Sequence, residues 1–191
     1  MQIQTVGIIG AGTMGNGIAQ ACATSGINVV MVDISEAAVQ KGLATVAGSL
    51  DRLIKKEKIS AADKEAALAK IKVSTDYSAL KAAQLVIEAA TENEALKIKI
   101  LQEVDALVGP EVLIASNTSS ISITKLAAVT GRADKFIGMH FFNPVPMMAL
   151  VEVIRGLQTS DATHAAVQAL AQQLGKTPIT VKGGPGFVVN R

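Results

Sequence analysis

Glycines spaced for phosphate binding stand near the start of the chain. Segment Val6–Gly17 reads VGIIGAGTMGNG, and Ala-rich residues follow it at helical spacing. This order predicts a strand, a tight turn and a helix. Gly10 would make the turn, Gly12 would leave room for a dinucleotide pyrophosphate, and Gly15 would let the helix pack on the strand. The predicted phosphate-binding residues are Gly10, Ala11, Gly12, Thr13, Met14 and Gly15.

An acidic residue follows the next predicted strand. That strand covers Asn28–Val32, and Asp33 closes it 18 residues after Gly15. The spacing is close to the roughly 20 residues expected for a carboxylate that accepts hydrogen bonds from the adenosine ribose. A carboxylate there would repel a 2'-phosphate, so the sequence favours NAD over NADP. The alternative is a glycine-rich turn followed by an aspartate that caps a helix.

A histidine at the end of a later strand offers proton-transfer chemistry. His140 ends the predicted strand 135–140, and the sequence HFFNP then turns the chain. Removal of a hydride from a secondary alcohol needs a base for the hydroxyl proton, and a neutral imidazole suits that role near pH 7. Glu152, within the apolar sequence VEV, is the candidate to fix the imidazole tautomer, because a charge in an apolar strand is costly unless it is paired. The alternative places Glu152 on the outward face of a half-buried strand.

Polar residues also follow two strands in the middle of the chain. Strand 84–89 leads to Glu92 and Lys97, and strand 112–116 ends in SNTSS at residues 116–120. Open α/β sheets bind ligands at the carboxyl ends of their strands. Glu92 and Lys97 could therefore contact a dinucleotide, and residues 116–120 could bind a substrate oxygen. Loop and helix-capping chemistry would account for these residues equally well.

Strands and helices alternate along the chain, which argues for a mostly parallel sheet covered on both faces. The predicted strands lie near residues 3–9, 28–33, 71–74, 84–89, 112–116, 135–140, 149–154 and 178–182. The segment between the second and third strands is too long for one crossover helix. Its apolar spacing and a capping box at Ser60–Asp63 predict a helical hairpin with basic residues at its tip. We expect one doubly wound α/β domain of the Rossmann type over residues 1–191, with the hairpin at about 35–70.

Composition narrows the class of protein. The chain has 191 residues, 49% of them apolar, and a net charge of +2, so it can bury a substantial core. Because no basic run contains interleaved aromatics, nucleic acid is not an expected partner. We find neither a signal peptide nor a membrane-length apolar stretch, and we expect a cytoplasmic protein that does not bind membranes. No metal site is predicted, and Cys22, the single cysteine, is expected to pack in the core.

Together these residues resemble the 3-hydroxyacyl-CoA dehydrogenase family of NAD-dependent enzymes. The resemblance runs from Val6 to Arg191 through VGIIGAGTMG, VIEAATEN, ASNTSSISI, GMHFFNPVPMMALVEV and GPGFVVNR. The HFFNP and NTSS segments are far more specific than the glycine loop. The resemblance implies oxidation of (3S)-3-hydroxyacyl-CoA to 3-oxoacyl-CoA, or the reverse reduction, in fatty-acid or short-chain acyl-CoA metabolism. 3-Hydroxybutyryl-CoA and acetoacetyl-CoA are examples of such substrates.

The resemblance also implies roles for individual residues. His140 is the catalytic base and Glu152 its charge partner, Ser119 contacts the oxygen being oxidised, and Asn190 helps to position the reactants. The residues implied for NAD contact, besides the glycine loop, are Asp33, Glu92, Lys97, Ser119 and Asn143. Those implied for coenzyme A are Ser49 and Lys56 on the hairpin, whose basic tip then anchors nucleotide phosphates.

The resemblance further implies a second domain. The family continues past the segment matching Gly186–Arg191 into a helical domain that forms a homodimer and the far wall of the substrate cleft, and this chain stops before it. We expect NAD binding to survive in the fragment, because its determinants lie in the sheet, and we expect its activity to be poor. Two alternatives stay open: a related sugar-acid dehydrogenase of the same fold, against which Lys56 and its neighbours weigh, and a non-catalytic NAD-binding module.

Overall fold

The structure, a computed structural model, describes residues 1–182, in which strands and helices alternate as predicted. Their bounds are β1 Thr5–Ile9, α1 Thr13–Thr24, β2 Asn28–Val32, α2 Glu36–Lys55, α3 Ala61–Ala69, β3 Ile71–Ser74, β4 Leu85–Glu88, α4 Glu94–Leu107, β5 Leu113–Ser116, α5 Ile123–Ala128, β6 Phe136–Phe141, β7 Leu150–Arg155, α6 Asp161–Gln173 and β8 Thr177–Lys182. Among residues 1–182, no helix combines the length and the apolar character needed to cross a bilayer. The predicted role of Asn190 lies outside the described residues.

All eight of these strands form one sheet in the order β3-β2-β1-β4-β5-β6-β7-β8. Neighbouring strands from β3 to β6 are parallel, β7 runs antiparallel to β6, and β8 is parallel to β7. The expectation of a mostly parallel, doubly wound sheet is confirmed. The order changes direction between β1 and β4, and a crevice at the carboxyl ends of such strands is where open α/β sheets bind dinucleotides.

Helices cover both faces of the sheet. One apolar cluster joins the sheet to α1, α2 and α6, and the other joins it to α4 and α5. Ile8 and Ile9 are adjacent on β1 and belong to opposite clusters, because successive strand side chains point to opposite faces. Cys22 is fully buried in the first cluster, and burial raises the pKa of its thiol to about 12, in keeping with a packing role.

The segment between β2 and β3 is the predicted helical hairpin. Val39, Val46 and Leu50 are buried along one side of α2, as its apolar spacing indicated. At the start of α3, Ser60 Oγ accepts from the Asp63 N–H at 3.0 Å, and Asp63 Oδ2 accepts from the Ser60 N–H at 2.9 Å. This reciprocal pair is the predicted capping box.

Candidate active site

The glycine-rich turn joins β1 to α1. Gly10 has φ of +105°, a conformation that L side chains rarely adopt, and its N–H donates to the Val32 carbonyl at 2.8 Å. A Cβ added to Gly15 would lie 1.7 Å from the Gly10 carbonyl oxygen, so helix and turn touch there. A Cβ added to Gly12 would meet no atom within 4 Å. The open space at Gly12 is where the sequence predicts a phosphate.

Helix α1 begins without a side-chain cap, because its N-cap residue is Gly12. The other five α-helices of residues 1–182 each begin with a Ser or Asn whose side chain accepts a backbone N–H. The first-turn N–H groups of α1, which include those of Thr13 and Met14, have no intrahelical acceptors, and a helix N-terminus carries partial positive charge. A bound pyrophosphate would supply the missing acceptors. The turn therefore fits a dinucleotide.

Asp33 lies beside this turn at the carboxyl end of β2. Its Oδ2 accepts from the Ala11 N–H at 2.8 Å, and its Oδ1 accepts from the Ile34 N–H at 2.7 Å. The residue lines a cavity of about 680 Å³ that begins at Gly10. The helix-cap alternative does not apply, because Ser35 is the N-cap of α2.

Apolar and aromatic side chains form part of the wall of this cavity. Ile34 and Leu96 are 88% and 48% exposed, and both line it, which suits a flat nucleobase. Tyr77 lines the same cavity and was missed by the sequence analysis, since it stands in a short 3₁₀ turn without a motif. Burial, and then the charges of Glu103 and Asp33, raise the pKa of the Tyr77 hydroxyl.

Glu92 and Lys97 lie near the carboxyl ends of β4 and β5. Glu92 Oε2 accepts from Thr118 Oγ1 and from Ser120 Oγ, each at 3.0 Å. Lys97 is 1% exposed and forms an ion pair with Glu88. Glu92 and Lys97 both line a cavity of about 170 Å³, whose other walls are Met14, Ala89, Ala90, Thr91 and Asn117. Both residues thus face the space next to the glycine-rich turn, and their contact with NAD stays a prediction.

The loop after β5 uses most of its polar groups within the protein. Asn117 Oδ1 accepts from the Phe141 N–H at 2.8 Å and so ties this loop to the end of β6. Three hydroxyls make hydrogen bonds inside the cluster, namely those of Ser116, Thr118 and Ser120. Ser119 is exposed, and its hydroxyl makes no hydrogen bond within residues 1–182. Its hydroxyl is therefore available to a ligand, and its contact with substrate or NAD stays a prediction.

His140 and Glu152 are directly opposite each other on antiparallel strands β6 and β7. Nδ1 of His140 lies 2.9 Å from Glu152 Oε1, and the two side chains are 18% and 15% exposed. A carboxylate at Nδ1 favours the tautomer with the proton on that nitrogen, so Nε2 is left to exchange a proton with a ligand. The ring also contacts Phe142, with centroids 4.7 Å apart. The structure therefore brings together the predicted base and its predicted partner.

A groove of about 330 Å³, separate from these two cavities, lies between the helical hairpin and the segment that follows His140. Ser49, Lys56 and Asn143 line it, together with Arg52 and Lys58. Ser49 and Lys56 thus face the same groove, and their contact with coenzyme A stays a prediction. Asn143, assigned to NAD by resemblance, also lies on the wall of this groove.

Lys176 holds the loop that forms one wall of this groove, and no motif pointed to it. Its ammonium donates to the carbonyl oxygens of Val145 at 2.8 Å and Met148 at 2.6 Å. Burial lowers its pKa. Because the contacts join residues about 30 positions apart in the chain, no local pattern marks them.

Fold and site together define a Rossmann-type dinucleotide-binding domain with a histidine–carboxylate pair at the same edge of its sheet. The sequence profile of the NAD-binding domain of 3-hydroxyacyl-CoA dehydrogenase matches residues 5–184. The chain belongs to this family, and NAD is its cofactor.

Similar proteins extend beyond the part that matches this chain. The 3-hydroxybutyryl-CoA dehydrogenase of Bradyrhizobium diazoefficiens is 47% identical over 189 residues, which are 99% of this chain and 64% of that protein. The crystal structure of (S)-3-hydroxybutyryl-CoA dehydrogenase from Ralstonia eutropha is 77% identical with a TM-score of 0.97, covering all of this chain and 67% of that one. The fatty acid oxidation complex subunit alpha of Acinetobacter baylyi is 44% identical over 99% of this chain and 26% of that protein. The chain thus spans about two thirds of the length of the first two relatives.

Proposed function

We propose that this chain is the cofactor-binding part of an NAD-dependent (3S)-3-hydroxyacyl-CoA dehydrogenase. The observation that carries the proposal is the 2.9 Å contact between His140 and Glu152 at the sheet edge that also holds the glycine-rich turn. An acid–base group beside a dinucleotide site is what oxidation of an alcohol requires. The names of the relatives support the short-chain substrate 3-hydroxybutyryl-CoA, and acetoacetyl-CoA is the product of its oxidation.

The proposed mechanism assigns proton transfer to His140. Bound NAD⁺ supplies the hydride acceptor for the hydrogen on C3 of the substrate. Nε2 of His140 takes the proton of the C3 hydroxyl, and in the reduction it returns this proton to the oxygen. Glu152 keeps the ring in the reactive tautomer and stabilises the imidazolium. Ser119 donates to the substrate oxygen, and Asn190 helps to position the reactants.

The cofactor contacts in this proposal start at the glycine-rich turn and extend along the two cavities beside it, which are lined by Gly10, Met14, Asp33, Glu92 and Lys97. Gly10, Ala11, Gly12, Thr13, Met14 and Gly15 surround the pyrophosphate. Asp33 accepts from the adenosine ribose, while Glu92, Lys97, Ser119 and Asn143 contact the nicotinamide half. Ser49 and Lys56 contact coenzyme A in the groove beside the hairpin. A cytoplasmic location and a homodimer formed through a C-terminal helical domain are further proposals, which follow from the family resemblance.

Titrations with NADH and acetoacetyl-CoA test this function, followed by a turnover assay on a version extended to the length of the relatives. The proposal expects both ligands to bind and the extended version to oxidise NADH with acetoacetyl-CoA. Binding of NADH alone would favour a sugar-acid dehydrogenase. Binding of NADH without turnover of any acyl-CoA in the extended version would favour a non-catalytic module.

Asp33 should set the preference for NADH over NADPH. Replacement by alanine removes the carboxylate that repels a 2'-phosphate, and we expect the ratio of the two dissociation constants to fall by about 10-fold or more. Fluorescence titration with each cofactor measures this ratio.

Asp76 provides a matched control, because it lines the same cavity and its carboxylate also accepts a backbone N–H, that of Ser78. Asp76→Ala should leave the preference unchanged. Equal affinity of the starting protein for NADH and NADPH would contradict the assignment of Asp33.

Lys56 should contribute to acyl-CoA binding through its charge. Lys56→Ala should weaken acetoacetyl-CoA binding by about 5-fold at low salt and by less as salt screens the interaction. NADH affinity should not change. Calorimetric titration at two salt concentrations measures both effects.

Lys55→Ala is the control for this charge, since Lys55 is adjacent and exposed but does not line the groove. Equal losses of acyl-CoA affinity in both variants, or a parallel loss of NADH affinity in Lys56→Ala, would argue against a specific contact.

A further inference from the structure

A buried charged pair lies at the carboxyl ends of β4 and β5. Glu88 and Lys97 are 0% and 1% exposed and form an ion pair. Glu88 Oε1 also accepts from Ser116 Oγ at 2.8 Å, and Oε2 accepts from the Ala90 N–H at 2.9 Å. Both oxygens of the carboxylate are therefore occupied. The carboxyl end of β4, the strand next to β1 in the sheet, is thus held by a charged side chain rather than by an apolar one.

This pair is connected to Glu92 by a chain of hydrogen bonds. Ser116 Oγ accepts from the Thr118 N–H at 3.3 Å, and Thr118 Oγ1 donates to Glu92 Oε2 at 3.0 Å. Ser116 and Thr118 are 0% and 1% exposed. Glu92 and Lys97, two of the residues proposed to contact the nicotinamide half, thus belong to one continuous polar network.

The network leaves Lys97 one donor for a ligand. An ammonium has three N–H groups, and within residues 1–182 its partners are Glu88 and Ser116. Lys97 also lines the cavity of about 170 Å³ next to Met14. A buried ion pair is often no more stable than apolar residues of the same volume. Its presence at this strand end is therefore better explained by a requirement for an oriented charge.

We propose that Glu88 and Ser116 are positioning residues for NAD. Glu88 directs the Lys97 ammonium toward the cofactor, and Ser116 couples that pair through Thr118 to Glu92. Neither Glu88 nor Ser116 lines the cavity itself, so both act through their neighbours. The inference rests on the proposed cofactor contacts of Glu92 and Lys97.

The test is the dissociation constant of NADH, measured by fluorescence titration together with the melting temperature of each unliganded variant. Glu88→Gln keeps the side-chain shape but has a single acceptor oxygen, so it cannot hold both Lys97 and the Ala90 N–H. We expect it to weaken NADH binding by about 10-fold. Ser116→Ala should weaken NADH binding by about 3-fold. This variant tests the inference if Glu88→Gln does not fold.

A double variant shows whether Glu88 affects NADH binding by positioning Lys97 or by another route. In the presence of Lys97→Met, the change Glu88→Gln should have little further effect on NADH affinity, because the ammonium that Glu88 orients is gone.

Asp105→Asn is the control. Asp105 on α4 forms another ion pair, with Arg132, and the two side chains are 20% and 8% exposed. Neither residue lines a cofactor cavity. Asp105→Asn should lower the melting temperature while NADH affinity is kept.

Three results would overturn the inference. The first is an unchanged NADH affinity in both Glu88→Gln and Ser116→Ala. The second is a loss of NADH affinity in the double variant that equals the sum of the two single losses. The third is a loss of NADH affinity in Asp105→Asn as large as that in Glu88→Gln. The proposed dehydrogenase activity fails separately, if an extended version that binds NADH does not turn over acetoacetyl-CoA.

Discussion

His140→Ala lowers the turnover number with acetoacetyl-CoA by about 100-fold or more, the usual scale for the loss of a general acid or base. This result is expected because Nε2 of His140 is the group proposed to exchange a proton with the substrate oxygen. Binding of NADH persists, since the glycine-rich turn follows β1 and Asp33 follows β2, whereas His140 is on β6. Steady-state kinetics on a version extended to the length of the relatives measures the change, and NADH titration accompanies it.

The second histidine supplies the control for this change. His164 lies on α6, and its Nε2 is 2.8 Å from Thr180 Oγ1, away from the residues of the site. His164→Ala should leave the turnover number unchanged. A similar loss in both variants, or turnover that survives in His140→Ala, would exclude His140 as the proton-transfer group.

Glu152→Gln distinguishes a charge partner from a strand surface residue. An amide cannot stabilise the imidazolium as a carboxylate does, so the variant should turn over more slowly. For alcohol oxidation the base must be unprotonated, and loss of a negative neighbour disfavours the protonated ring. The midpoint of the pH–rate profile should therefore move to lower pH. A profile with both midpoint and plateau unchanged would show that the 2.9 Å contact with His140 has no part in catalysis.

The fold was predictable because its signals are local. The strand bounds follow from short apolar runs, such as the one that ends at Ile9, and the start of α3 follows from a capping box four residues long. The candidate pair His140–Glu152 was also predictable, since His140 follows an apolar strand segment and Glu152 stands between two valines. Their antiparallel register then places the two side chains together.

The connections between loops were not predictable in the same way. Glu88 falls within the predicted strand 84–89 and was assigned no role, although a charge in a buried strand signals a buried partner. That partner, Lys97, lies nine residues later, and Ser116 lies 28 residues later. Which polar groups meet depends on the sheet order β1-β4-β5, and no spacing along the chain contains that order. Lys176 and the loop it holds are a second example.

Gly12→Ala should weaken NADH binding by roughly 10- to 100-fold, the scale of forcing one methyl group into a filled space. The backbone of Gly12 is extended, with φ of −71°, which alanine adopts without strain. Its Cβ would meet no protein atom within 4 Å, so the melting temperature of the unliganded variant should not fall. A loss of affinity without a loss of stability would place the ligand itself at this position.

Two other glycines separate this effect from damage to the fold. Gly15→Ala should lower both melting temperature and NADH affinity, because its Cβ would lie 1.7 Å from the Gly10 carbonyl oxygen. Gly48→Ala, on the surface of α2, has space for a methyl group, its nearest neighbour being Arg52 at 3.8 Å. It should keep NADH affinity and maintain or raise stability, since alanine favours a helix over glycine. If Gly12→Ala binds NADH as tightly as Gly48→Ala does, the pyrophosphate does not lie against Gly12, and the glycines of the turn are required only for folding.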